Sequence, residues 1–208
     1  MSLALLDLLQ LADSSFPSGG YAHSLGLETR YVWGDVDLDM HLRFVLANGL
    51  TRLELPMVRE AYLADAATLG DLDALLDVLL PVAELRSAST SLGRSFFRAA
   101  ARVRPVAGRA EHHAVVFGAV LRAWDLELDD GLDVYAFQAV RQQLSAAQRL
   151  GKIGQSVVQE LLDRLKPAMA SAVAESWTIS RDEVGSFAPL LDLASMEHAH
   201  QHARLFLS

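Results

Sequence analysis

At 208 residues, with hydrophobic residues at 51% and aromatics at 7%, the chain can bury one sizeable core, and its length gives no reason to divide it into more than one domain. Lys and Arg number 18 against 26 Asp and Glu, a net charge of -8, which excludes a nonspecific phosphate-binding surface and argues against nucleic acid as a partner. There is no cysteine, so disulfides, thiolate metal sites and a Cys nucleophile are excluded, while His and carboxylate sites stay open. Ala and Leu dominate and Val-Ile-Thr runs are few, which predicts an all-α fold. Met1 to Ala12 is apolar but lacks a basic leader and carries Asp7, and no apolar run approaches the roughly 20 residues that span a bilayer. The expectation is a soluble cytoplasmic protein with no membrane partner.

Leu3, Leu5, Leu6, Leu8, Leu9 and Leu11 fall too densely for one narrow stripe. A first helix, with Ser2 as its N-cap, should therefore be buried over much of its circumference or else pack against a partner. Asp13 to Glu28 then interrupts the helical pattern. Pro17 fixes its own φ and pushes Phe16 out of the helical region, while Gly19 and Gly20 allow positive φ, so a shaped loop is predicted. Ser24 stands four residues before Glu28 as a helix-capping or loop-ordering hydroxyl. A short helix from about Ser24 to Val32 precedes a longer one from Leu38 to about Leu69, which Pro56, lacking an amide donor, should kink or split. Gly70-Asp71 is expected to close that unit.

From Asp71 to Val103, Leu72, Leu75, Leu76, Leu79 and Leu80 have helical spacing, with a break or bend at Pro81 and an end at Arg104-Pro105. Three helices should follow, near Ala110 to Trp124, Leu132 to Leu150 and Ser156 to Ala174, separated by Asp129-Asp130-Gly131 and by Gly151 to Gly154. A last helix is predicted from about Pro189 to Leu207. The expected object is one domain over residues 1–208, a compact bundle of eight to ten helices kinked near Pro56 and Pro81.

Several constellations carry chemistry on paper. Ala22-His23-Ser24-Leu25-Gly26 is one substitution from a nucleophile elbow, but that motif needs a strand-to-helix turn, so a helical hydrolase built on Ser24 is a remote alternative. Gly151-Lys152-Ile153-Gly154 lacks the earlier Gly of a Walker loop, where Ala146 stands, and the hydroxyl residue after Lys. Any nucleotide would belong to a partner. His198 and His202 are spaced to share a helix face as nickel or zinc ligands, with His200 pointing elsewhere. Without a third ligand of known position no metal site is assigned; the alternative is a solvated or interface histidine face. The adjacent His112 and His113 diverge on a helix and make a weaker pair. Arg94, Arg98 and Arg102 recur every four residues, with Arg86 two turns earlier. They form either a solvated face paired with local carboxylates or a docking stripe for an acidic partner or a second copy. Asp71, Asp73, Asp77 and Glu84 offer a counterpart that would neutralise the stripe across a dimer.

The run Asp13-Ser14-Ser15-Phe16-Pro17-Ser18-Gly19, followed by Ser24-Leu25-Gly26-Leu27-Glu28, resembles the N-terminal signature of the UreF family of urease accessory proteins. Glu84-Leu85-Arg86 with Ser87 to Arg94 is similar to that family's middle helix, and Gly154-Gln155 sits where it carries a Leu-Gly-Gln turn. Pro189-Leu190-Leu191-Asp192, Ala194-Ser195-Met196, His198, Gln201 and Arg204-Leu205-Phe206 with Ser208 is similar to its closing segment. The chain departs from the pattern with Glu197-His198-Ala199 in place of Arg-His-Glu and Lys152-Ile153 in place of Pro-Leu. The resemblance implies an all-helical, dimeric, non-enzymatic accessory protein that bridges UreD (also called UreH) and the GTPase UreG on apo-urease. It would couple the GTPase cycle to nickel insertion without a cofactor of its own, nickel being handled by the complex and GTP by the GTPase. Partner binding is then expected at Phe16, Pro17, Gly19, Tyr21, Ser24 and Glu28 of the loop, at Arg86, Arg94, Arg98 and Gln155, and at His198, Arg204, Leu205 and Phe206. A nickel-binding metallochaperone using the C-terminal histidines is the competing class.

Overall fold

The Ala- and Leu-rich segments fold as helices throughout the computed structural model, which describes residues 3–202 and 204–207. Ten α-helices follow in chain order: α1 Leu3–Ala12, α2 Leu27–Trp33, α3 Leu38–Val45, α4 Leu55–Leu63, α5 Leu69–Leu79, α6 Ala83–Val103, α7 His113–Ala123, α8 Leu128–Arg149, α9 Gln155–Ser176 and α10 Pro189–His198. Among the described residues there is no strand, and no helix is long and apolar enough to cross a membrane. The fold is all-α, as expected. Its centre is α7, in which every residue from Ala114 to Leu121 is buried between α4, α6 and α8. Gly118 lets α4 cross there, since a Cβ at this position would lie 2.2 Å from the Val58 carbonyl oxygen. Gly118→Ala is therefore expected to cost about 1–3 kcal/mol, read as a lower denaturant midpoint at constant slope. An unshifted midpoint would mean that α4 and α7 do not meet this closely.

Pro56 interrupts the long rod by an indirect route. Proline offers no N–H, so the Arg52 carbonyl loses its helical donor four residues on. The chain just upstream widens into a π-helical segment, Leu46–Glu54, that joins α3 to α4. Within it the Thr51 hydroxyl donates to the Leu46 carbonyl at 2.9 Å, and Arg52 O accepts from the Gly185 N–H at 3.0 Å. The rod stops at Leu63 rather than Leu69, because Asp65 accepts from the Thr68 N–H at 2.8 Å and starts α5. Gly70 consequently lies in the first turn of α5 and closes nothing. Pro81 does separate α5 from α6, as its missing donor predicts.

Arginines finish three helices. Arg86 donates to the Leu80 and Pro81 carbonyls beyond α5, Arg122 to Tyr62, Leu63 and Ala64 at the end of α4, and the buried Arg59 to Ser176 and Ile179 at the end of α9. Each cation satisfies orphan carbonyls at the negative end of a helix dipole. Asp129, Asp130 and Gly131 form the first turn of α8 and not a break before it; acids are favourable there, and the turn comes earlier at Asp125, with φ 57.

The first helix is not buried around its circumference. Only Leu8 and Leu11 are inside, while Leu3, Leu5, Leu6 and Leu9 face outward. Its anchor is polar: Asp7 pairs with Arg104 at 2.8 Å, and that guanidinium lies 4.9 Å from the Trp124 ring centroid. Ser2, expected as its cap, lies outside the described residues. The last helix ends at His198, and the described residues beyond it have no regular secondary structure.

Candidate partner-binding site

The loop after α1 is built by its own short-range chemistry. Asp13 Oδ1 accepts the Ser15 N–H at 2.7 Å, and Gly19 and Gly26 hold positive φ of 81° and 84°. At Gly26 only glycine fits on two counts, because an added Cβ would also sit 2.9 Å from Ser195 Oγ on α10. Helix α2 therefore starts directly against α10. Ser24 is buried, and its Oγ accepts the Glu28 N–H at 3.5 Å, ordering the loop ahead of the helix while Gly26 holds the N-cap position. With no strand among the described residues before it and its hydroxyl inside the fold, Ser24 is not on a nucleophile elbow.

Glu28 holds the C-terminal tail. Its Oε1 accepts the Leu205 N–H at 2.8 Å, and its Oε2 accepts the Phe206 N–H at 3.3 Å and the His198 Nε2–H at 2.8 Å. Gln201 donates to Thr29 Oγ1 at 2.9 Å, and the Leu207 N–H to the Ala22 carbonyl at 2.8 Å. Arg149 of α8 donates to the Tyr21 carbonyl and stacks on two rings, 5.9 Å from the Tyr21 centroid and 4.5 Å from that of Phe206. Loop and tail, at opposite ends of the sequence, thus form one clasp around a buried carboxylate.

Under the clasp is a cavity of about 530 Å³. Phe16, set by Pro17, packs on Phe96 with centroids 5.0 Å apart, and the rings continue inward through Phe117, Tyr135 and His113. Phe206 lines the cavity too, as does Glu54, whose Oε2 accepts from the Tyr135 hydroxyl at 2.6 Å. Burial raises the Glu54 carboxyl, with Tyr135 opposing it; burial and then Glu54 push the Tyr135 phenol well up; burial lowers His113 to about 4. All three groups are driven toward their uncharged forms.

The expected contact residues divide by burial. Pro17, Tyr21, Gln155, Arg204 and Leu205 are exposed, Phe16 and Gly19 are half-buried, and Ser24, Glu28, His198 and Phe206 are inside. These last four hold segments together and offer no surface. The expected contacts did not include Leu190, Leu193 and Met196, which are exposed at helical spacing on the outer face of α10; that spacing was the available signal. Because α10 stops at His198, His198 and His202 do not share a helix face: His198 turns in to Glu28, and His200 and His202 point to solvent. No group of three His, Cys, Asp or Glu among the described residues is placed to hold a metal ion.

The arginine stripe is not uniform. Arg86 is spent on the carbonyls after α5, Arg94 pairs with Glu111 at 3.0 Å, and Arg98 donates to Ser95 Oγ at 3.1 Å. Asp73 accepts the Glu111 and His112 N–H groups at 3.0 and 2.8 Å, and Asp77 faces His112 Nε2 at 3.2 Å. Those two carboxylates bond within this chain's own fold.

A family model for UreF matches residues 34–166. The chain is 32% identical over 220 residues to "Urease accessory protein UreF" of Nostoc, covering 98% of this chain and 95% of the relative. It is 33% identical over 219 residues to the protein of the same name from Chromohalobacter salexigens, covering 99% and 95%. With "Urease accessory protein F" of Arabidopsis thaliana it shares 34% over 223 residues, covering 96% and 90%. Likeness of this extent takes in the loop, the middle helix and the tail that the fold gathers around Glu28, and the chain belongs to the UreF family of urease accessory proteins.

Proposed function

We propose that this chain is a non-enzymatic scaffold of urease maturation, which bridges UreD (UreH) and the GTPase UreG on apo-urease and couples the GTPase cycle to nickel insertion. The observation that carries the reading is the clasp. By tying the loop to the tail, Glu28 sets Tyr21, Leu205 and Leu207 at the surface near α10, whose Leu190, Leu193 and Met196 are also exposed. Apolar patches with aromatic and arginine anchors are the usual carriers of binding energy between proteins. Coupling to a GTPase requires that the scaffold bind its nucleotide states with different affinity. The working form is a cytoplasmic homodimer, and nickel passes as cargo of the assembled complex.

Size-exclusion chromatography with light scattering, using this protein with UreD and then UreG, with and without GTP, tests the reading. A stoichiometric ternary complex is expected. Deleting residues 199–208 spares α10 and should abolish capture of UreD while circular dichroism stays helical. Capture by the folded truncation would remove the tail from the reading.

A further inference from the structure

Helix α6 places Arg94 and Arg98 one turn apart with Phe97 between them, and after Pro105 the chain turns back along the same helix. That return is close only because residue 93 is glycine: a Cβ there would lie 1.9 Å from the Glu111 carbonyl oxygen. Asp73 fixes the returning segment through two backbone N–H groups. Between helix and return lies a recess of about 220 Å³ lined by Arg94, Phe97, Arg98, Arg109 and Glu111.

Its charges do not balance. Three guanidinium groups share one carboxylate, Glu111, which is on Arg94. Arg98 has only the neutral Ser95 hydroxyl, and among the described residues Arg109 makes no hydrogen bond or ion pair. In a chain of net charge -8 this is a local positive site, exposed to solvent, that carboxylates from outside would complement. The volume is below the roughly 300–1,000 Å³ of small-molecule pockets and suits one or two side chains. Glu111 repels a multiply charged phosphate, whereas single carboxylates spaced along a chain reach Arg98 and Arg109 on either side of it.

We infer that this recess receives an acidic segment of a partner protein, with carboxylates on Arg98 and Arg109 and an apolar side chain over Phe97. The inference rests on the scaffold reading for its biological sense, but its test does not. A fluorescein-labelled hexapeptide of alternating Glu and Leu, titrated with the full chain at low ionic strength and followed by anisotropy, should bind. Arg98→Ala and Arg109→Ala should each weaken it about 2- to 5-fold, the range of exposed ion pairs. Glu111→Gln should tighten it by a similar factor of about 2 to 5, since it frees Arg94 and keeps the backbone bond to Asp73. A gain of affinity cannot come from misfolding. All these differences should shrink in high salt.

Absence of wild-type binding, or unchanged affinity in the Arg98→Ala/Arg109→Ala double variant, overturns the inference. Displacement of the peptide by equimolar inorganic phosphate also overturns it, in favour of a small-anion site. Mixing the same variants with UreD and UreG separates the two readings. If wild type captures neither partner while the peptide differences hold, the scaffold reading fails and the recess stands. If the variants lose the peptide but keep both partners, the recess stands and serves another acidic protein.

Discussion

The Glu28→Ala variant is expected to release the C-terminal tail and to lose about 3 kcal/mol of stability, the scale of leaving a buried donor without its acceptor. The carboxylate accepts three hydrogen bonds, from the Leu205 and Phe206 N–H groups and from His198. Leaving those donors buried without an acceptor would cost about 1–3 kcal/mol each. The tail has an escape, because the described residues after His198 belong to no helix and can undock into water. His198 has none: it is fully buried on α10, and its Nδ1 already lacks a partner. Loss of the tail thus limits the total while the imidazole carries what remains. Glu28→Gln keeps one acceptor oxygen and should fall between the two. Rapid amide exchange at Leu205 and Phe206, tryptic cleavage after Arg204, and failure to capture UreD are the expected readouts. Wild-type exchange protection at those two amides in Glu28→Ala would show that the carboxylate does not hold the tail.

Much of this fold was legible because helix periodicity and proline are local signals, and both act within a few residues. The break at Pro81 and the helices over α6 to α9 fell close to their expected places. What escaped was decided at a distance. Three helix ends are completed by Arg59, Arg86 and Arg122, of which the first reaches across more than 110 residues to its carbonyl partners. Arg86 reaches carbonyls only five and six residues back, and it looked like part of a docking stripe because sequence spacing cannot tell a solvated guanidinium from one folded back on a helix end. Apolar spacing continues from Pro189 to Leu207, yet the helix stops at His198 because Glu28, far off in sequence, supplies acceptors to an irregular chain. The residues of the clasp were singled out individually, but their burial was not visible. Neither was the recess beside α6, which exists because Gly93 admits a backbone no side chain would tolerate.

Lowering the pH from about 7 to about 4 is expected to destabilise the fold through two histidines, His41 buried and His113 half-buried beside the cavity, that have no use for a second proton. His41 is 4% exposed, and neither ring nitrogen has a hydrogen-bond partner among the described residues. Burial, then the charge of Arg30, lowers it to about 4; Gln143 opposes the shift but its geometry falls short of a bond. His113 is likewise brought to about 4 by burial, although its ring borders the cavity, where water moderates the penalty. An unfolded chain takes up these protons near 6.5, and the folded one only near 4. Their contribution is complete above the unfolded value and is lost as the pH falls toward the folded one, ~3 kcal/mol for His41 alone. Glu54 acts with the opposite sign. Its raised carboxyl gains its proton first in the folded state, so its contribution is present below 4.5 and is lost as the pH rises through the folded value. The net acid slope is therefore shallower than the histidines would give alone. His41→Leu removes two unpaired nitrogens and should raise the denaturant midpoint while flattening its fall with pH. His113→Phe, which suits the rings of Phe96, Phe117 and Tyr135, should flatten it to a smaller degree. A His41→Leu variant that loses stability with acid as steeply as wild type would place the slope elsewhere.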